Sequence, residues 1–159
     1  MVAVSSTLMA GTPSLAVSQE ALLVDKETDE ISAWLKETAS VGYGTTYDEL
    51  QSIAHDCAPP NWDGYGAAPV SPASVGAAKR FLDTLPLGMP GPSVGADSDG
   101  QITLEWYAGP RQMISVSVGP DGFLHFAALI GAATRYGREP FLGQTPQGIL
   151  ELIHKVAPQ

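Results

Sequence analysis

From Val94 onward the apolar residues of this chain recur at every second position, and that alternation limits the folds open to it more than any other feature. Ile102, Leu104 and Trp106 alternate with Thr103, Glu105 and Tyr107, and Ile114, Val116 and Val118 alternate with Met113, Ser115 and Ser117. A period of two places one set of side chains on each face of a strand. A further run, Phe123 to Ile130, is apolar on both faces and belongs more centrally in the sheet. Asp99-Gly100, Gly109-Pro110 and Pro120-Asp121-Gly122 separate the runs and are hairpin turn signals. The expectation is an antiparallel meander of three or four strands.

Before Val94 the period is helical. In residues 18 to 38 Ile31, Trp34 and Leu35 stand at i, i+3 and i+4, one stripe of an amphipathic helix whose outer face is acidic. Thr46-Tyr47-Asp48-Glu49 fits a capping box. It predicts a second helix from about Tyr47 to Cys57, burying Leu50, Ile53 and Ala54 and stopping before Pro59-Pro60. Ser71-Pro72 opens a third helix, with Val75, Ala78, Leu82 and Leu85 on one face and Pro86 at its end. Residues 86 to 93 (PLGMPGPS) form a connection. Thr145-Pro146 repeats the cap-plus-proline start before a closing helix with Ile149, Leu150, Leu152, Ile153 and Val156. The fold class is therefore α+β, with N-terminal helices, a further helix, the meander, and a C-terminal helix packed on one face of the sheet. At 159 residues the chain makes one compact domain. Within it we expect a flexible segment over 1–17, an acidic helical region over 18–60 and a sheet module over 61–159.

Charge narrows the function. The net charge is −9, and residues 1 to 66 hold ten of the acids against Lys26 and Lys36 alone, whereas residues 67 to 159 are almost neutral. An acidic front repels nucleic-acid phosphates and attracts a basic protein surface. Asp25, Glu27, Asp29, Glu30 and Glu37 are the candidate contact residues there; a solvated helix face is the plainer reading of the same charges. No stretch approaches the roughly 18 apolar residues of a membrane span. The N-terminus lacks the basic and unbroken apolar regions of a secretion signal, so a cytoplasmic protein is expected. Cys57 is the sole cysteine, which leaves no intramolecular disulfide and no thiolate metal cluster.

No catalytic, metal or cofactor motif stands out. Asp97-Ser98-Asp99-Gly100 resembles a calcium loop, but that register puts Gly95 at the first ligand position and Trp106 at the last. A β-turn fits better. His55, His125 and His154 are scattered, with no i, i+4 pair for a metal. No G-x-S-x-G, no G-x-x-x-x-G-K and no dinucleotide glycine pattern occurs.

The densest local signal is Asn61-Trp62-Asp63-Gly64-Tyr65-Gly66-Ala67, with two rings, one acid and two glycines. Three readings stand beside one another. In the first, Trp62 and Tyr65 dock beneath the loop and Asp63 accepts backbone N–H groups. In the second, Trp62, Asp63 and Tyr65 contact a partner, since Trp and Tyr are enriched among interface anchors. In the third, Asp63 pairs with Glu105, and His125 completes a small hydrolase site facing Glu105 or Arg111 across the sheet. A ligand cavity lined by Trp62 and Trp106 is a further alternative.

The run NWDGYGAAPVSPASVGAAKRFLDTLP, followed by DGQITLEW, PDGFLHFA and a short last helix, resembles a group of small uncharacterised proteins of bacterial and mobile-element genomes. The resemblance covers about residues 61 to 153 and lies chiefly in the Trp-Asp-Gly core and the Leu104-Glu105-Trp106 strand. The small size and genomic setting of the group imply an accessory role of the antitoxin, immunity-protein or inhibitor kind; the group has no assigned activity, so no functional residues carry over from it. The leading expectation is a non-enzymatic acidic interaction protein. Its partner is a basic toxin or defence-complex subunit, no cofactor is needed, and a homodimer is compatible with the chain.

Overall fold

The computed structural model describes residues 43–158. The segment 1–17, the helix expected over 18–38, and Asp25, Glu27, Asp29, Glu30 and Glu37 lie outside the described residues. The described part is α+β. Helix α1 (Gly44–Asp56) and helix α2 (Pro72–Asp83) precede strands β1 (Ser93–Ala96), β2 (Ile102–Gly109), β3 (Gln112–Val118), β4 (Phe123–Ile130) and β5 (Ala133–Pro140), and helix α3 (Gln147–Val156) closes the chain. The strands form one antiparallel sheet in the order β1-β2-β3-β4-β5. The meander thus has five strands where three or four were expected, the addition at the far edge being β5.

Alternation makes the core. Ile102, Leu104, Trp106, Ile114, Val116, Val118 and Leu124 point to one face and are buried there. The helices supply the matching surfaces: Leu50 from α1, Ala78, Phe81 and Leu82 from α2, and Ile149, Ile153 and Val156 from α3 join the same cluster. Each large side chain buried in this way contributes roughly 1.5–3 kcal/mol. Phe81 is the centre of the α2 face and meets Phe141 edge-on, centroids 5.9 Å apart. Val75, expected on that stripe, is only half-buried. The 86–93 connection closes the end of the core. Pro90 O accepts the Trp106 indole N–H (2.7 Å) and Pro86 O accepts the Tyr43 hydroxyl (3.3 Å).

Two expected caps do other work. Ser71 behaves as its sequence predicts, its Oγ accepting the Ser74 N–H at 3.1 Å. Thr46 and Glu49, however, lie inside α1, which starts at Gly44 and has no side-chain cap. The Thr46 hydroxyl donates to Pro92 O (3.0 Å), and Glu49 Oε2 accepts the Val94 N–H (2.9 Å). The pair that reads as a capping box instead straps α1 along β1, and Glu49 fills a donor on the sheet's outer edge. Thr145 likewise does not cap α3; its hydroxyl pairs with that of Thr84 at 2.6 Å, joining the segment before α3 to the end of α2.

Candidate functional site

Helix α1 ends at Cys57, whose N–H donates to Ile53 O, and Pro59-Pro60 cannot continue it. The chain then reverses at Asn61, which adopts a left-handed φ of 60°, a conformation asparagine tolerates better than most residues. From there the loop bonds to itself. Asn61 N–H donates to Ala67 O (2.8 Å) and Gly64 N–H to Asn61 O (3.0 Å). Gly66 N–H donates to Asn61 Oδ1 (2.6 Å), while Asp63 Oδ1 receives the N–H groups of Tyr65 (2.8 Å) and Ala67 (3.0 Å). The Trp62 indole N–H donates to Ala68 O (3.0 Å). Ala68 N–H reaches Ser98 O (2.8 Å) in the β1–β2 turn, and Val70 N–H reaches Cys57 O (2.8 Å). Every backbone N–H from Gly64 to Ala68 therefore has an acceptor, which fixes the loop against both α1 and the sheet.

This geometry separates the roles of the three loop residues. Trp62 is half-buried and joins the rim of the core. Asp63 is an acceptor for the loop backbone, and the N–H groups of Tyr65 and then Ala67 hold its carboxyl below the usual aspartate range. The Tyr65 ring points outward, 94% exposed. An exposed aromatic on a backbone with no slack is pre-organised for contact, because little freedom remains to be lost on binding. Acids surround it in sequence: Asp48, Glu49, Asp56 and Asp63 occur with no Lys or Arg between residues 43 and 78.

The residues proposed for hydrolysis have separate partners. Asp63 is occupied by its own loop, and Glu105 Oε2 accepts from the Ser115 hydroxyl (3.2 Å). His125 stands in register with Ser117 and Arg138 and lies 3.7 Å from Asp121, so neither Glu105 nor Arg111 is its cross-strand neighbour. His154 Nδ1 lies 2.9 Å from Leu150 O within α3. Burial, reinforced by the charge of Asp56, raises the Cys57 thiol above its ordinary pKa, the reverse of what activates a nucleophile. Trp106, at 2% exposure, belongs to the core and offers no ring to a ligand. Among the described residues no cluster of three His, Cys, Asp or Glu suits a metal ion, and no helix is long and apolar enough to cross a membrane.

Sequence reasoning missed a polar row on the face of the sheet opposite α1, α2 and α3. Thr103 and Ser117 hydroxyls lie 3.2 Å apart, and Ser117 donates to Asp97 Oδ2 at 2.8 Å. The polar positions of the alternation mark it, but only the register puts them in one line. Comparison of the chain with protein-family models, with curated proteins and with solved structures finds no match.

Proposed function

We propose that this protein is a non-enzymatic interaction module that recognises a basic protein surface, with Tyr65 as the inserted anchor and the acids of α1 and its loop as the electrostatic frame. The observation that carries this reading is the 94% exposure of Tyr65 on a loop whose backbone N–H groups from Gly64 to Ala68 all have acceptors. A tyrosine so placed costs little ordering entropy and supplies a large contact area. The acidic frame steers a basic surface toward it and makes capture salt-dependent. The resemblance is to small uncharacterised proteins of bacterial and mobile-element genomes; their size and genomic setting favour a partner of the toxin or defence-complex kind, and on this reading the chain acts as an antitoxin or inhibitor.

The test is capture from host extract on the immobilised full chain, beside Tyr65→Ala, at low and high salt. We expect a basic protein whose retention falls about tenfold or more with Tyr65→Ala and weakens with salt. A partner held equally by Tyr65→Ala, or held independently of salt, refutes the proposal.

A further inference from the structure

The two edges of the sheet are treated differently. At β1 the strand is only four residues long, and α1 covers it through Thr46 and Glu49. At β5 eight residues run along the boundary, Thr134, Arg135, Tyr136 and Arg138 are exposed, and Tyr136 reaches 81%. Among the described residues no strand pairs with this outer edge, and an unpaired edge of that length is a template for another strand. Helix α3 does not cover it: a groove remains between α3 and β5, lined by Phe126, Arg135 and Glu139 on the sheet side and by Glu151 and Lys155 on the helix side.

The backbone has a defined orientation at this edge. Phe141 N–H donates to Gly122 O (2.8 Å), one step beyond the Phe123–Pro140 pair. Hydrogen-bonded pairs recur at every second residue of an antiparallel ladder. Ala133, Arg135, Gly137 and Glu139 therefore turn their backbone groups toward β4, and Thr134, Tyr136 and Arg138 turn theirs outward. Pro140 falls on the outward set, where its missing N–H breaks no bond to β4. Gly137 is held by a different constraint: a Cβ there would lie 3.0 Å from the Phe126 ring, which folds across it from β4.

We infer that β5 is the docking edge for a second copy of this chain, the two β5 strands pairing antiparallel about a two-fold axis at Gly137 to give one continuous sheet. An axis normal to the sheet keeps each residue on its own face, so it must pass through a residue position. Centred on Gly137, Arg135 faces the partner's Glu139 on the helix side, and Tyr136 faces the partner's Arg138 on the other. Both pairings occur twice: one is an ion pair, and the other sets the Tyr136 ring beside the partner's Arg138, whose guanidinium lies over the Phe123 ring of its own chain, 4.3 Å from the centroid. The outward N–H and C=O groups of Tyr136 and Arg138 then bond to those of the partner's Arg138 and Tyr136. A centre at Arg135 or Arg138 sets two arginines against each other, and a centre at Tyr136 leaves Glu139 opposite the partner's Ala133. Four strand residues hold the Cα atoms of Arg135 and Glu139 about 13 Å apart, and the two do not pair with each other within the chain. Among the described residues neither forms an ion pair.

The experiment is sedimentation equilibrium of the full chain, beside Glu139→Arg, Arg135→Glu and the double exchange R135E/E139R, with circular dichroism confirming that each variant is folded. The expected result is a concentration-dependent species of twice the 16.6 kDa chain mass. Each single reversal should raise its dissociation constant at least about tenfold by opposing like charges, and the double exchange should restore it. The readout is the mass of the assembled species, so restoration by the double exchange reports on the contact between copies. A wild type that stays monomeric to about millimolar concentration, where even weak self-association is populated, overturns the inference. So does a folded double exchange that remains as weak as the single variants.

Discussion

The attachment of the Tyr65 loop to the sheet is best probed at Gly100. This residue ends the Asp97-Ser98-Asp99-Gly100 turn, where its N–H donates to Asp97 O at 2.9 Å. It has a φ of +85°, and a Cβ built there lies 2.7 Å from Pro69 O. That oxygen is backbone and cannot swing aside. Gly100→Ala therefore carries two penalties: the left-handed conformation, about 1–2 kcal/mol for a residue with a Cβ, and displacement of the 67–70 segment from the turn. The displacement stretches the Ala68–Ser98 hydrogen bond, worth about 0.5–1.5 kcal/mol net, and the total expected is about 1.5–3.5 kcal/mol. Gly64→Ala is the internal control, since its φ is +78° but nothing lies within 4 Å of its Cβ position. The control bears the conformational penalty alone, and the loss of unfolded-chain freedom common to both substitutions cancels in the comparison. Urea unfolding at unchanged slope should place Gly100→Ala below Gly64→Ala by roughly 0.5–1.5 kcal/mol. Equal midpoints for the two variants would show that the loop does not bear on the turn, and the account of a fixed Tyr65 would fail with it.

Two further outcomes follow from single hydrogen bonds. The Asp63 carboxyl is held below its ordinary pKa in the folded state by the Tyr65 and Ala67 N–H groups. The resulting stability is fully present above the unfolded aspartate value of about 3.9 and is lost as pH falls through the lower folded value. An NMR titration following the Asp63 carboxyl carbon and the Tyr65 and Ala67 amides checks this, and a midpoint at or above the ordinary aspartate value counts against it. At the β1 edge, Glu49→Ala removes the acceptor of the Val94 N–H; it should cost about 1 kcal/mol, at the low end for a charged acceptor because Glu49 is exposed. Hydrogen exchange at Val94 should quicken while Leu104 exchange does not, and an unchanged Val94 rate refutes the strap.

Strands β2 and β3 were legible because each buries one face, and burial of one face forces a period of two; β4 was legible as an apolar run between turn signals. Strand β5 was not. Its helix-side positions are Ala133, Arg135, Gly137 and Glu139, and at the sheet boundary beyond α3 nothing demands an apolar residue at any of them. Two arginines, a glycine and a proline in eight residues argue against a strand by propensity alone. The misread caps have a different origin. Thr-x-x-Glu has the same spacing whether it opens a helix or rides on its first turns; what decides is that the chain enters α1 at Gly44, two residues before the threonine, and that Pro92 and Val94 lie alongside. In the loop, composition marked the place without dividing the labour. The left-handed turn at Asn61 sends one ring inward to Ala68 O and leaves the other in solvent, and no spacing rule distinguishes Trp62 from Tyr65 in that respect.

The two proposed contacts sit at opposite boundaries of one sheet, which bears on how the molecule works. The Tyr65 loop is bonded to the β1–β2 turn through Ala68 and Ser98, whereas the free edge is β5. Four strand spacings of about 4.8 Å separate β1 from β5, roughly 19 Å, so occupation of one boundary does not obstruct the other. The charges divide in the same direction. Asp48, Glu49, Asp56 and Asp63 belong to α1 and its loop, and Arg135 and Arg138 belong to β5. On the proposed reading a basic partner would be drawn to the tyrosine end and repelled from the arginine end, which would leave β5 to pair with a strand that brings its own glutamate. The β5 strand of a second copy does so through Glu139.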